Sequence, residues 1–177
     1  LYKLFPFKFF LNIPKVVKSK NKKQNDVSCR MGLKYSKETV SFQRKKINEI
    51  LKRSYNFKKV SKKIYFQELK KSKILISPFG YGEINLKDFE AFFYNCLLFK
   101  ANMDHLETWP NFYLRDKTYV DFNWDLDDFK NKLNHIIKNF ERYSEIANYT
   151  NNLYNSYLHD EKYLEEFCVR LKNILNN

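Results

Sequence analysis

Gly80, Gly82, Glu83, Lys87 and Glu90 crowd into one short stretch near the middle of the chain. Residues of these types can hold an anionic, hydroxyl-rich ligand. Amides of a glycine turn and of a helix start donate to phosphate oxygens, an ammonium neutralises them, and a carboxylate accepts from hydroxyls. Gly80 and Gly82 are two of only three glycines in 177 residues, and a turn without β-carbons lets a ligand approach the backbone closely. A tight turn with no ligand fits the same residues. Glu83 can accept the orphan N–H groups of a helix that follows it, and Glu90 either faces solvent or reaches into a crevice beyond the strand ends.

The elements that must position these residues follow from the flanking pattern. Residues 74–76 are a short apolar run, an amphipathic segment opens at Asn85, and a second apolar run occupies 97–99. Strand, glycine loop, helix, strand is the order this predicts, with Leu86, Phe89, Phe93 and Leu97 as the buried helical face. Upstream, 27–31 reads as a strand, 41–52 as a helix with Phe42, Ile47, Ile50 and Leu51 inward and Arg44 and Lys45 on the wet side, 57–60 as an edge strand, and 65–69 as a short helix. Downstream, 118–122 reads as a strand and 125–140 as a helix, opened by Asp125, Asp127 and Asp128 and burying Leu126, Phe129, Leu133, Ile136, Ile137 and Phe140. Helices over 144–158 and 162–175 follow, with Tyr154, Leu158, Phe167, Leu171 and Leu175 as packing residues. Strands alternating with helices at this spacing predict a parallel sheet with helices on both faces. Loops leaving the C-terminal ends of such strands are where ligands bind. That places Met103, Asp104, His105, Thr108 and Trp109 among the candidates, although His105 also fits a loop histidine beside Asp104 or Glu107, and Trp109 fits packing on Pro110 and Phe112.

Composition narrows the function classes. The formal net charge is +13, and the first 81 residues hold 22 Lys and Arg against 4 Asp and Glu. Such a surface can meet phosphates or an anionic membrane, while 27 lysines beside 20 asparagines also fit a broad residue-usage bias. Only six residues are arginine, which argues against a nucleic-acid reader. Cys29, Cys96 and Cys168 are far apart, and His105, His135 and His159 form no cluster, so neither a disulfide framework nor a protein-held metal is expected. The aromatic run at 1–14, broken by Lys3, Pro6, Lys8 and Pro14, is too short to span a bilayer, which takes about 20 apolar residues. It reads as an interdomain segment or a membrane-surface patch, and the basic stretch after it as an exposed link. The expected organisation is a segment 1–26, a domain 27–140 and C-terminal helices 141–177.

The run 76–113, ISPFGYGEINLKDFEAFFYNCLLFKANMDHLETWPNFY, resembles the donor-binding region of glycosyltransferases with two Rossmann-like domains, the GT-B fold, in particular the "glycosyl transferases group 1". The likeness extends over roughly 63–129. It implies a Rossmann-like parallel sheet flanked by helices, with a helical C-terminal extension that crosses back to a first domain. It also implies transfer of a sugar from a nucleoside diphosphate sugar to a hydroxyl of a glycan or other acceptor, in glycan or polysaccharide synthesis. By this resemblance Glu90 holds the ribose, Gly80, Gly82 and Glu83 lie near the diphosphate, Lys87 stands where a phosphate-binding arginine is common, and Arg30 faces the diphosphate after the first strand. His105 lies in the loop that borders the donor. The family separates its two glutamates by seven residues, whereas here six intervene. No cofactor beyond the donor is implied, and no residue is assigned a chemical step. The chain would then be half of an enzyme, which its opening on Leu1 also fits, with a partner domain elsewhere and a cytoplasmic site of action, peripheral to a membrane if the N-terminal patch engages one. The competing expectation is a non-catalytic α/β module that binds a protein partner or an anionic surface through its basic first half.

Overall fold

The computed structural model describes residues 15–18, 23–51 and 54–176. The aromatic run at 1–14 and residues 19–22 of the basic link lie outside them. In chain order the elements are β1 (Asn25–Ser28), α1 (Glu38–Leu51), α2 (Lys62–Lys71), β2 (Ser72–Ser77), α3 (Leu86–Phe93), β3 (Leu97–Ala101), β4 (Val120–Phe122), α4 (Phe129–Lys138), α5 (Phe140–His159) and α6 (Glu161–Leu175). The four strands form one parallel sheet in the order β1-β2-β3-β4. This is a parallel α/β sheet flanked by helices, consistent with a generic Rossmann-like fold. None of the helices described is long and apolar enough to cross a membrane.

Period-two alternation in the strands builds two cores. Ile74, Ile76, Leu97 and Phe99 pack on one face with Ile47 and Leu51 of α1 and Leu133 and Ile136 of α4. Leu75 and Leu98 face the other way, toward Leu69 of α2 and Ala91 and Phe92 of α3. Because both faces are covered, the strand segments read as continuous apolar runs. Phe99, Phe122 and Phe129 meet with ring centroids 4.9–5.2 Å apart, each such pair adding about 0.5–1.5 kcal/mol beyond area burial. α5 serves both cores, through Ala147 at its start and Tyr154 and Tyr157 further on.

Several sequence expectations change. Residues 57–60 form no strand: the run tucks Phe57 into the core beside α1 and leaves Lys58 and Lys59 exposed, unpaired with the edge strand β1. α4 begins at Phe129 rather than 125. The acidic residues before it bind within their own turn, where Asp128 accepts from the Asn123 amide and Asp127 from the Asn123 side chain. The buried face of α3 is Asp88, Ala91 and Phe92, and Leu86 is 79% exposed. α6 buries no residue at all, so Phe167, Leu171 and Leu175 lie at the surface, with Phe167 stacked on Trp109.

Candidate functional site

The glycine loop is anchored from beneath by a buried polar cluster. Asn85 caps α3 and Asp88 returns the bond to the Asn85 amide, forming a capping box, which leaves Glu83 without the capping role the sequence offered it. Asp88 is fully buried and also accepts from the hydroxyls of Ser77 (2.6 Å) and Tyr113 (2.8 Å). The Lys100 ammonium, 2% exposed, lies 3.3 Å from Asp88 and donates to the Glu83 carbonyl. Burial lowers the pKa of Lys100, and Asp88 opposes that shift. One carboxylate therefore ties the end of β2, the loop, α3, β3 and the segment around Tyr113 together.

α1 grips the same loop from the other side. Gln43 accepts from the Phe79 amide at 2.7 Å, and Arg44 Nε donates to the Phe79 carbonyl at 2.8 Å. Arg44 is only 6% exposed, with Nη1 directed at the Gly32 carbonyl and the Tyr35 hydroxyl. It has no carboxylate within ion-pair distance among the described residues, and burial lowers its pKa. The wet-side assignment of Arg44 is thus corrected. α1 begins at Glu38, and Val40, Arg44, Ile47 and Leu51 share its buried stripe, a spacing of four, three and four that was visible in the sequence.

Between the loop, α1 and α2 opens a cleft of about 710 Å³. Of the residues singled out in the sequence, Arg30, Gly80, Gly82, Lys87 and Glu90 line it, together with Arg44. Tyr65 of α2 organises one wall by donating to Glu90 Oε2 at 2.7 Å while accepting from Lys87 Nζ at 2.9 Å. Lys87 is half-buried, and desolvation lowers its pKa although Glu90 opposes the shift. Arg30 is neutralised by Glu68 at 2.9 Å and donates to the Lys58 carbonyl. Among the described residues, five cationic side chains, Lys59 and Lys62 included, line the cleft against the single carboxylate of Glu90.

Neither glycine of the loop uses a left-handed backbone. A β-carbon on Gly82 would meet nothing within 4 Å, and one on Gly80 would meet only ordinary contacts, the nearest being Arg44 Nη2 at 3.5 Å. The protein's own packing therefore demands neither glycine. Glu83 and His105 do not line the cleft: the Glu83 carboxylate lies 4.0 Å from His105 Nε2, both are well exposed, and the imidazole meets the edge of Trp124. Met103 is core. No group of three or more His, Cys, Asp or Glu among the described residues is arranged to hold a metal.

No family model matches the chain, and no curated protein matches it. The family labels drawn from the run 76–113 are corrected accordingly: that likeness does not make the chain a member of the group 1 glycosyltransferases.

Proposed function

We propose that the cleft binds the donor of a glycosyl transfer, a nucleoside diphosphate sugar. The observation that carries this reading is the pair of cations, Arg44 and Lys87, held at a cleft where, among the described residues, no carboxylate is ion-paired to either. A desolvated guanidinium without a counter-charge is costly, and a diphosphate would supply one to Arg44 while adding to the partial compensation that Glu90 gives Lys87. In transfer, the bond from the anomeric carbon to the diphosphate breaks, an acceptor hydroxyl supplies the new oxygen, and negative charge gathers on the leaving diphosphate. Arg44 and Lys87 would stabilise that charge electrostatically, and Glu90, fixed by Tyr65, would hold donor hydroxyls. With Glu90 engaged in that role, acceptor activation would fall to a second domain, as in a GT-B arrangement.

Calorimetric titration of the chain with UDP, GDP, CDP and ADP tests this. One nucleotide should bind saturably, and Lys87→Ala and Glu90→Ala should each weaken it by about tenfold or more, the loss of one hydrogen bond involving a charged group. Raising the pH should weaken binding before the ordinary lysine value of 10.5 is reached, since deprotonation of Lys87 removes its charge. Lys87→Arg should delay that loss. A folded chain that binds none of the four nucleotides would sink the reading.

Gly82 supplies a separate check. Gly82→Ala should leave unfolding stability unchanged or raise it by about 0.4–1 kcal/mol, because nothing in the protein opposes the added methyl. Nucleotide affinity should nevertheless fall, as the methyl occupies space on which the ligand rests. A variant that binds as well as the parent would remove the loop from the site.

A further inference from the structure

A second cavity, of about 560 Å³, adjoins the cleft, and Met31, Gly32 and Lys59 belong to the walls of both. The partition is thin at Gly32, which presents backbone only, and a β-carbon there would press on the Tyr35 hydroxyl at 3.0 Å. The chemistry on the far side differs from that of the cleft. Asn48, Tyr55, Asn56 and Phe57 line it, and among the described residues no carboxylate does. The Asn56 side-chain oxygen is taken by the Lys58 amide, which leaves its NH₂ group free of that bond. Asn48 and Tyr55 both line it and both are partly exposed. The cavity therefore offers an aromatic face beside carboxamides that can donate and accept side by side.

We propose that this second cavity takes the nucleobase of the bound nucleotide, with Tyr55 supporting the ring and Asn48 reading its edge, so that these two residues set base specificity. The proposal rests on the reading that the cleft takes a phosphorylated ligand. A planar heteroaromatic ring with adjacent donors and acceptors matches an aromatic side chain beside a carboxamide. A sugar ring, rich in hydroxyl donors, would meet no carboxylate here.

The test compares inorganic pyrophosphate with UDP, CDP, ADP and GDP by calorimetry on the parent chain, Asn48→Ala, Asn48→Asp and Tyr55→Leu, with folding of each variant checked by circular dichroism. At least one nucleotide should bind the parent about tenfold more tightly than pyrophosphate. Both Asn48 variants and Tyr55→Leu should lose most of that advantage, while pyrophosphate affinity stays within about twofold of the parent, because neither residue lines the anion cleft. Asn48 and Tyr55 are each partly exposed, so these variants should fold. Pyrophosphate binding with no nucleotide advantage, or an advantage that survives in folded Asn48 and Tyr55 variants, would overturn the proposal and leave the anion site standing. No binding of pyrophosphate or of any nucleotide would overturn the anion site as well.

Discussion

Asp88→Ala is expected to lower the free energy of unfolding by about 3–5 kcal/mol, the scale for removing one partner of a buried charge pair. Asp88 carries four bonds at once, from Ser77, Tyr113, the Asn85 amide and Lys100. Its loss strands a buried ammonium that, among the described residues, retains only the Glu83 carbonyl. Urea denaturation followed by circular dichroism would read the change. Lys100→Met in the same chain should recover part of it, since the stranded charge is then gone. A pH series adds a sign. Lys100 titrates below the ordinary lysine value in the folded chain, so between that lowered value and 10.5 the unfolded chain binds more protons and stability rises with pH. Without Asp88 to hold the proton on Lys100 the rise should begin at lower pH. Above about 10, where exposed tyrosines ionise, Tyr65 and Tyr113 reverse the trend, because burial and their carboxylate partners hold both hydroxyls protonated in the folded chain. A loss under about 1 kcal/mol in Asp88→Ala would show that the cluster does not anchor the loop.

Arg44→Met should have the largest effect on ligand binding, lowering nucleotide affinity by about 10- to 100-fold, as expected for losing one or two hydrogen bonds to a charged group. Arg44→Lys should not restore it. A lysine cannot meet the Phe79 carbonyl, the Gly32 carbonyl and the Tyr35 hydroxyl together and still present a free N–H to the cleft. The comparison that separates binding from scaffolding is Gln43→Leu, which removes the other α1 contact to Phe79 but no charge. If Gln43→Leu lowered affinity as much as Arg44→Met, Arg44 would act only by holding the loop.

Much of this was legible without coordinates. The strands around 74–76 and 97–99, the glycine loop between them and the helix after it follow from short apolar runs and turn residues. So do the late helices, because period and punctuation are local properties. Arg30, Gly80, Gly82, Lys87 and Glu90 were singled out from residue type and spacing, or from the resemblance, and the structure brings them to one cleft. Other features were not local. Arg44 looked like a surface residue because an arginine on an amphipathic helix ordinarily is one. Only the approach of Phe79 and Gly32 makes a buried guanidinium tolerable there. Leu86 looked like core and is exposed, while Asp88 drew no assignment from the sequence; Lys100, Ser77 and Tyr113, from three other segments, are what hold it inside.

The sequence by itself determined the alternation of strands and helices and the parallel sheet, because apolar period and turn chemistry act within a few residues. It also determined the excess of positive charge in the first half. The tertiary structure alone decided which cations lose their solvent, which carboxylate goes inward, and that Glu83 and His105 stand outside the cleft. Desolvation and hydrogen-bond completion depend on groups distant in the chain, and no local spacing encodes them.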